Sequence, residues 1–166
     1  MKKILIIILL GCTLAGCKAP QTYETMTDLF YAPTLPEPGE IEIWMPENAA
    51  QSAMEHEDGS LLYLCDGYSV ALQTMESGNL DATLCAVTGY GEEKLRGIHW
   101  EKDGLQRYEC AWASIGESGD QVARTVVLDD GVYHYAVTVM GSAELAADLA
   151  ATWQTITDSV GLDAGP

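Results

Sequence analysis

Residues 121–140 read QVARTVVLDDGVYHYAVTVM. Two runs rich in β-branched and aromatic residues flank Asp130-Gly131, and Asp-Gly readily adopts the positive φ angles of a tight hairpin turn. The same dipeptide recurs at 58–59, 66–67 and 103–104. Reading outward from these turns predicts strands near 60–65, 68–75, 95–102, 105–115, 121–128 and 132–140. GESGD at 116–120 supplies the remaining loop, and EIEIWM at 40–45 reads as an earlier strand.

A register follows from the turns, because side chains alternate between the two faces of a strand. A two-residue turn at Asp130-Gly131 sets Leu128 opposite Tyr133, Val126 opposite Tyr135 and Val122 opposite Val139. Carrying the ladder across GESGD sets Tyr108 beside Leu128, Cys110 beside Val126 and Trp112 beside Arg124. One face is then apolar across three strands, with Arg124 as its only charge and cation–π packing on Trp112 to accommodate it. The hairpin at Asp66-Gly67 puts Leu61, Tyr63, Cys65, Tyr68, Val70 and Leu72 on one side.

Two helices complete the pattern. NLDATLCAV (79–87) carries Leu80, Leu84 and Val87 on one stripe, with Asn79 as N-cap. A longer helix is expected over 143–159, capped by Ser142, with Leu145, Leu149, Trp153, Ile156 and Val160 at helical spacing and Gly161 as its stop. The fold class is therefore α+β: an antiparallel sheet of about six to seven strands, a hairpin plus a four-strand meander, with a short helix and a long C-terminal amphipathic helix packed on it. Over residues 40–162 this order resembles the PsbP-like α/β/α fold, named for the photosystem II accessory protein. That resemblance implies an accessory or binding role and transfers no functional residue to a position here.

The amino terminus reads MKKILIIILLGCTLAGCKAP. Lys2 and Lys3 precede an apolar run, Ile4 to Leu10, which is too short for the about 20 residues that cross a bilayer. Leu14-Ala15-Gly16-Cys17 resembles the lipobox of bacterial lipoproteins. The resemblance implies a diacylglyceryl group on Cys17 and cleavage between Gly16 and Cys17, with residues 1–16 as signal peptide. A second tetrad, Leu9-Leu10-Gly11-Cys12, would leave an unusually short hydrophobic segment. Residues 17–39, with Pro20, Pro33, Pro36 and Pro38, read as a tether carrying the lipidated cysteine. Residues 40–162 read as one domain and 163–166 as a tail.

The chain carries a net charge of −17. Loss of residues 1–16 leaves six Lys+Arg against 25 Asp+Glu, a net −19. Such a surface repels nucleic acid phosphates and anionic headgroups, so attachment to a membrane falls to the lipid and a nucleic acid partner is excluded. Cys65, Cys85 and Cys110 remain after maturation. An odd number allows one disulfide and a thiol, or three thiols.

The histidines are His56, His99 and His134, and none stands at zinc-ligand spacing. EHEDG at 55–59 groups His56 with acids, where a turn also demands polar residues, so no metal site or cofactor is expected. In the assumed register His134 and Glu109 share the face opposite the apolar one, two strands apart, with Thr138 nearby. A polar groove there would serve a small hydrolase. His99 lies next to Cys110 on the apolar face, where a thiol behaves as an inert hydrophobe. Ser118 sits in a loop without a nucleophile elbow, and Gly89-Tyr90-Gly91 follows a helix instead of preceding one, unlike a phosphate loop.

The favoured reading is a lipid-anchored extracytoplasmic protein that binds or assists another component without catalysis. The alternatives are a cell-envelope hydrolase using His134 and Glu109, and a small-ligand carrier.

Overall fold

A computed structural model of the chain describes residues 34–54, 59–102, 104–116 and 119–163. The chain divides into two units, Met1–Thr34 and Leu35–Pro166, and every described element belongs to the second. These elements are β1 (Glu40–Glu42), β2 (Ala50–Gln51), β3 (Leu61–Cys65), β4 (Tyr68–Glu76), α1 (Leu80–Thr88), β5 (Arg96–Lys102), β6 (Leu105–Ser114), β7 (Gln121–Asp129), β8 (Tyr133–Ser142), α2 (Ala146–Asp158) and β9 (Gly161–Asp163). The Cys17 tetrad, the tether up to residue 33, His56 and Ser118 lie outside the described residues.

Seven strands form one antiparallel sheet in the order β2-β3-β4-β8-β7-β6-β5, while β1 pairs with β9 in a two-stranded ladder. The α+β class, the hairpin, the meander and the closing helix are as expected. The hairpin joins the meander through β4, which pairs with β8 from Tyr133 to Gly141. The chain then crosses the sheet through α1 and a 3-10 turn, Glu92–Lys94, and re-enters it at the far edge as β5.

One helix covers each face. On one side Trp153, Ile156 and Val160 pack with Val70, Val137 and Val139. On the other, Leu84 of α1 is fully buried among Tyr108, Cys110, Val127 and Ala136; burial of such a side chain stabilises by about 1.5–3 kcal/mol. Asn79 caps α1 as expected, its Oδ1 accepting the Asp81 N–H at 2.8 Å, and Gly89 at φ 79° ends it.

Two registers differ from expectation. The β7–β8 turn centres one residue later, on Gly131-Val132, so Leu128 faces Tyr135 and Asp129 faces His134. Asp130 causes this: its Oδ1 accepts the N–H groups of Val132 and Tyr133, each at 2.7 Å, and its Oδ2 accepts the Tyr135 hydroxyl at 2.8 Å. The pairing moves by two residues, so the faces are preserved.

The β6–β7 ladder slips by one residue, and that inverts β6. Tyr108 pairs with Val127, Cys110 with Thr125 and Trp112 with Ala123. Tyr108, Cys110 and Trp112 thus face α1, whereas Arg107 and Glu109 face α2. The expected single apolar face becomes two, which is what a sheet covered on both sides requires. Arg124 stays on the α2 face, separated by the sheet from Trp112. Trp112 donates from Nε1 to Thr125 Oγ1 at 2.9 Å instead, and Arg107 lies over Trp100, 5.4 Å from the ring centroid.

The ends also shift. Pairing of Gln121 with Ser142 extends β8, so α2 starts at Ala146 with Leu145 at its N-cap. Ser142 takes no part in that cap; its Oγ accepts the Glu144 N–H at 3.3 Å in the preceding turn. Gly161, expected as a stop, opens β9 against β1, so the strand expected at 40–45 pairs outside the main sheet. Part of the expected tether is fastened down: Tyr133 Oη donates to the Pro36 carbonyl at 2.6 Å, and the Gly39 N–H donates to Tyr135 Oη at 3.0 Å.

Candidate binding groove

β5, β6 and β7 lie side by side at the edge of the sheet, and their registers align three residues in one transverse row. Arg96 pairs with Ala111, and Ala111 pairs with Arg124. Directly paired residues share a face, so two guanidiniums flank a single methyl group across two strand spacings, ~10 Å. The next row is Ile98, Glu109 and Val126, and the one after it Trp100, Arg107 and Leu128. Because Ala111 is small, the surface sinks there into a groove of about 420 Å³, lined by Arg96, Ile98, Glu109, Ala111, Arg124 and Val126. Thr157 of α2 stands at its inner wall.

The three rows divide the work. Arg107 is buried; its Nη1 donates to the Val160 carbonyl at 2.8 Å and its Nη2 to the Thr157 carbonyl at 2.6 Å, closing the C-terminal end of α2. Its Nε also donates to Glu109 Oε1 at 2.7 Å, with Nη2 2.5 Å from the same oxygen. Glu109 is thereby neutralised and drawn toward the third row. Arg124 donates to Gln154 Oε1 with one nitrogen. Arg96 is exposed and has no hydrogen-bond or ion-pair partner among the described residues. The groove thus presents two guanidiniums with unspent donors over an apolar floor.

The basic residues among the described ones fall in a single stretch of the chain. Of the eight Lys and Arg in the chain, Lys94, Arg96, Lys102, Arg107 and Arg124 fall between residues 94 and 124, and the other three are Lys2, Lys3 and Lys18. This clustering was visible in the sequence, but the β6–β7 slip hid the row, because the assumed register set Trp112 beside Arg124. The groove is the site that sequence reasoning missed.

His134 and Glu109, the candidate acid–base pair, lie on opposite faces of the sheet, because the slip carries Glu109 to the α2 side. His134 instead sits under α1 at 1% exposure. Its Nδ1 is 2.6 Å from Thr83 Oγ1, and its Nε2 is 3.4 Å from Asp129 Oδ2 and 3.3 Å from Ser77 Oγ. Ser77 Oγ donates to Asp129 Oδ1 at 3.1 Å. Hydroxyl, imidazole and carboxylate are in the sequence of a proton relay, yet Thr83 is only 6% exposed. A nucleophile so enclosed meets no substrate, and the network fastens α1 and the strand leading into it to β8. Thr138, expected near that pair, bonds Thr125 at 2.9 Å within the same layer.

His99 and Cys110 share the α1 face, and the His99 ring meets Tyr108 edge-on with centroids 6.3 Å apart. Burial pushes the Cys110 thiol up to about 11, which leaves it protonated and inert at neutral pH. Cys65, Cys85 and Cys110 are all free thiols. Tyr90 of the Gly89-Tyr90-Gly91 segment packs edge-on against Trp112 and donates to the Ala113 carbonyl at 2.9 Å.

No family model and no curated protein matches the sequence. Solved structures match the backbone. Cyanobacterial PsbP (CyanoP) from Synechocystis does so with a TM-score of 0.52 at 8% identity, covering 76% of this chain and 95% of that one. LpqN, involved in cell envelope biogenesis of Mycobacterium tuberculosis, gives a TM-score of 0.49 at 9% identity over 76% of this chain and 86% of its own. At such identities the likeness is one of fold alone. The sheet between two helices resembles the PsbP-like α/β/α fold through its match to CyanoP.

Proposed function

We propose that the protein is a lipid-anchored extracytoplasmic accessory protein, whose domain binds another envelope component through the β5–β7 groove. The observation that carries the reading is a contrast in accessibility. The hydroxyl–imidazole pair Thr83 and His134, and the Cys110 thiol near His99, are buried under α1, while Arg96 and Arg124 line an open groove on the other face. The Leu14-Ala15-Gly16-Cys17 tetrad supports anchoring. A bilayer-embedded acyl pair holds firmly, at roughly 0.8 kcal/mol per buried methylene.

Two measurements test the two halves. Cells fed radiolabelled palmitate should label the natural chain and leave Cys17→Ser unlabelled; label on the variant, or none on the natural chain, refutes anchoring. Crosslinking in intact envelopes should give an adduct that Arg96→Glu abolishes. An adduct indifferent to that substitution removes the groove from the reading.

A further inference from the structure

We propose that the groove is a site for a free single-chain amphipathic anion, with a carboxylate or phosphate head between Arg96 and Arg124 and an apolar chain running along β5. The inference rests on the reading of the groove as the binding surface and adds the chemistry of what enters it.

The head-group position follows from the register. Arg96 and Arg124 stand in one row with only the Ala111 methyl between them. A guanidinium offers five N–H donors in a planar fork suited to carboxylate or phosphate oxygens. Arg124 commits one nitrogen to Gln154, and Arg96 commits none among the described residues. Of the nearby carboxylates, Glu109 is one row away and held by Arg107 at 2.5 Å, and Asp158 accepts the Gln154 Nε2 N–H at 2.5 Å, behind the Arg124–Gln154 contact. Two guanidiniums with unspent donors thus face one groove within a chain of net −17, whose surface otherwise repels competing polyanions and anionic bilayers. That repulsion favours a free amphiphile over a lipid still in its membrane.

The direction of the chain follows from the next rows. Along β5 the residues on this face are Arg96, Ile98 and Trp100, at a repeat of about 7 Å. Ile98 is 62% exposed and Trp100 37% exposed, the two large apolar side chains of β5 on this face. β5 is the edge strand, so among the described residues no strand lies beyond it to block a chain laid over Ile98 toward Trp100. A groove of about 420 Å³ falls within the ordinary range for small-molecule sites.

The test uses the full chain carrying Cys17→Ser, labelled with ¹⁵N, and follows the arginine Nε–H resonances. Decyl phosphate and decanoate are titrated against inorganic phosphate and decyltrimethylammonium. The Arg96 and Arg124 resonances should shift saturably with at least one decyl anion and stay put with the cation. Inorganic phosphate should bind at least about tenfold more weakly than the bound anion, having no chain to bury. Arg96→Gln, at an exposed position, should weaken the decyl anion about tenfold by loss of charge-assisted bonds. Ala111→Leu, which keeps both charges and fills the gap, should block it. Equal response to the cation, full affinity in both variants, or uptake only onto phosphatidylglycerol vesicles overturns the inference. Failure of the decyl anions with the Arg96-dependent envelope adduct intact overturns the ligand class alone and spares the groove.

Discussion

Arg107, near the start of β6, donates from Nη2 to the Thr157 carbonyl at 2.6 Å, so a strand side chain closes the end of α2. The last carbonyls of a helix lack partners within it, and α2 has no basic residue in its last turn. A guanidinium 50 residues away in sequence supplies what the helix lacks. Arg107→Met should therefore strand two carbonyls and leave Glu109 without its ion pair. The expected loss is about 2–4 kcal/mol, read as a lower urea midpoint at unchanged slope. Arg107→Lys should recover only part of this, since a single nitrogen replaces the three, Nη1, Nη2 and Nε, that reach Val160, Thr157 and Glu109 separately.

The His134 network predicts a second isolated effect. Thr83→Val keeps the shape of the side chain and removes the hydroxyl 2.6 Å from Nδ1. A buried ring nitrogen without a partner costs about 1–3 kcal/mol, so the variant should unfold earlier in urea. Thr83→Ser retains the hydroxyl and should lose about 1 kcal/mol or less. If both variants cost the same, the bond contributes nothing and the methyl packing is what matters.

How far the sequence could be read depends on the kind of signal at each position. Asp66-Gly67 and Asp103-Gly104 set their hairpins correctly, because a two-residue turn leaves one choice of partner: Cys65 meets Tyr68 and Lys102 meets Leu105. Asp130-Gly131 misled by one position because Asp130 acts through its carboxylate, a role that dipeptide statistics do not encode. The loop after Ser114 carries no such marker, and a one-residue slip there cost the faces of Tyr108, Cys110 and Glu109. With both faces covered by helices, either register gives an acceptable apolar pattern in β7, where Val126, Val127 and Leu128 are all buried. The deciding interactions are Arg107 to the end of α2, 50 residues away, and Trp112 Nε1 to Thr125, which forms only once the slip has put both on the α1 face. The groove was illegible for the same reason, since it exists only when Ala111 stands between two arginines.

The thiols should separate by position. Cys85 is exposed on α1, while Cys110 is 6% exposed with its thiol pushed up to about 11 by burial. With a maleimide near pH 7, Cys85 should label promptly and Cys110 only after addition of urea, with sites assigned by mass spectrometry. Prompt labelling of Cys110 in the native protein would show that α1 does not seal that face.

Gly97 is required by its neighbour's ring. It pairs with Cys110, and a Cβ placed there would fall 2.3 Å from Cζ and Oη of Tyr108, whose side chain is 5% exposed. Gly97→Ala should cost about 1–3 kcal/mol through overpacking. In a Tyr108→Leu background the added cost of the alanine should shrink, a non-additivity expected of side chains in contact. Additive losses would mean that the ring does not occupy the space above Gly97.

Asp130 predicts a dependence on pH. Burial raises its carboxyl, but the N–H groups of Tyr133 and Val132 and the Tyr135 hydroxyl outweigh that and hold it below the usual carboxylate value. The unfolded chain therefore takes up the proton first as acid is added. The stabilisation is complete above the unfolded pKa, about 3.9 for aspartate, and is lost as pH falls through the lower folded value. Asp130→Asn removes the titrating group and weakens the acceptor that fixes the β7–β8 turn. The variant should be less stable than the natural chain at neutral pH, and urea midpoints measured from pH 6 downward should converge below about pH 4. A stability gap that stays constant into acid would mean that the carboxylate form of Asp130 is not what holds Val132, Tyr133 and Tyr135 in place.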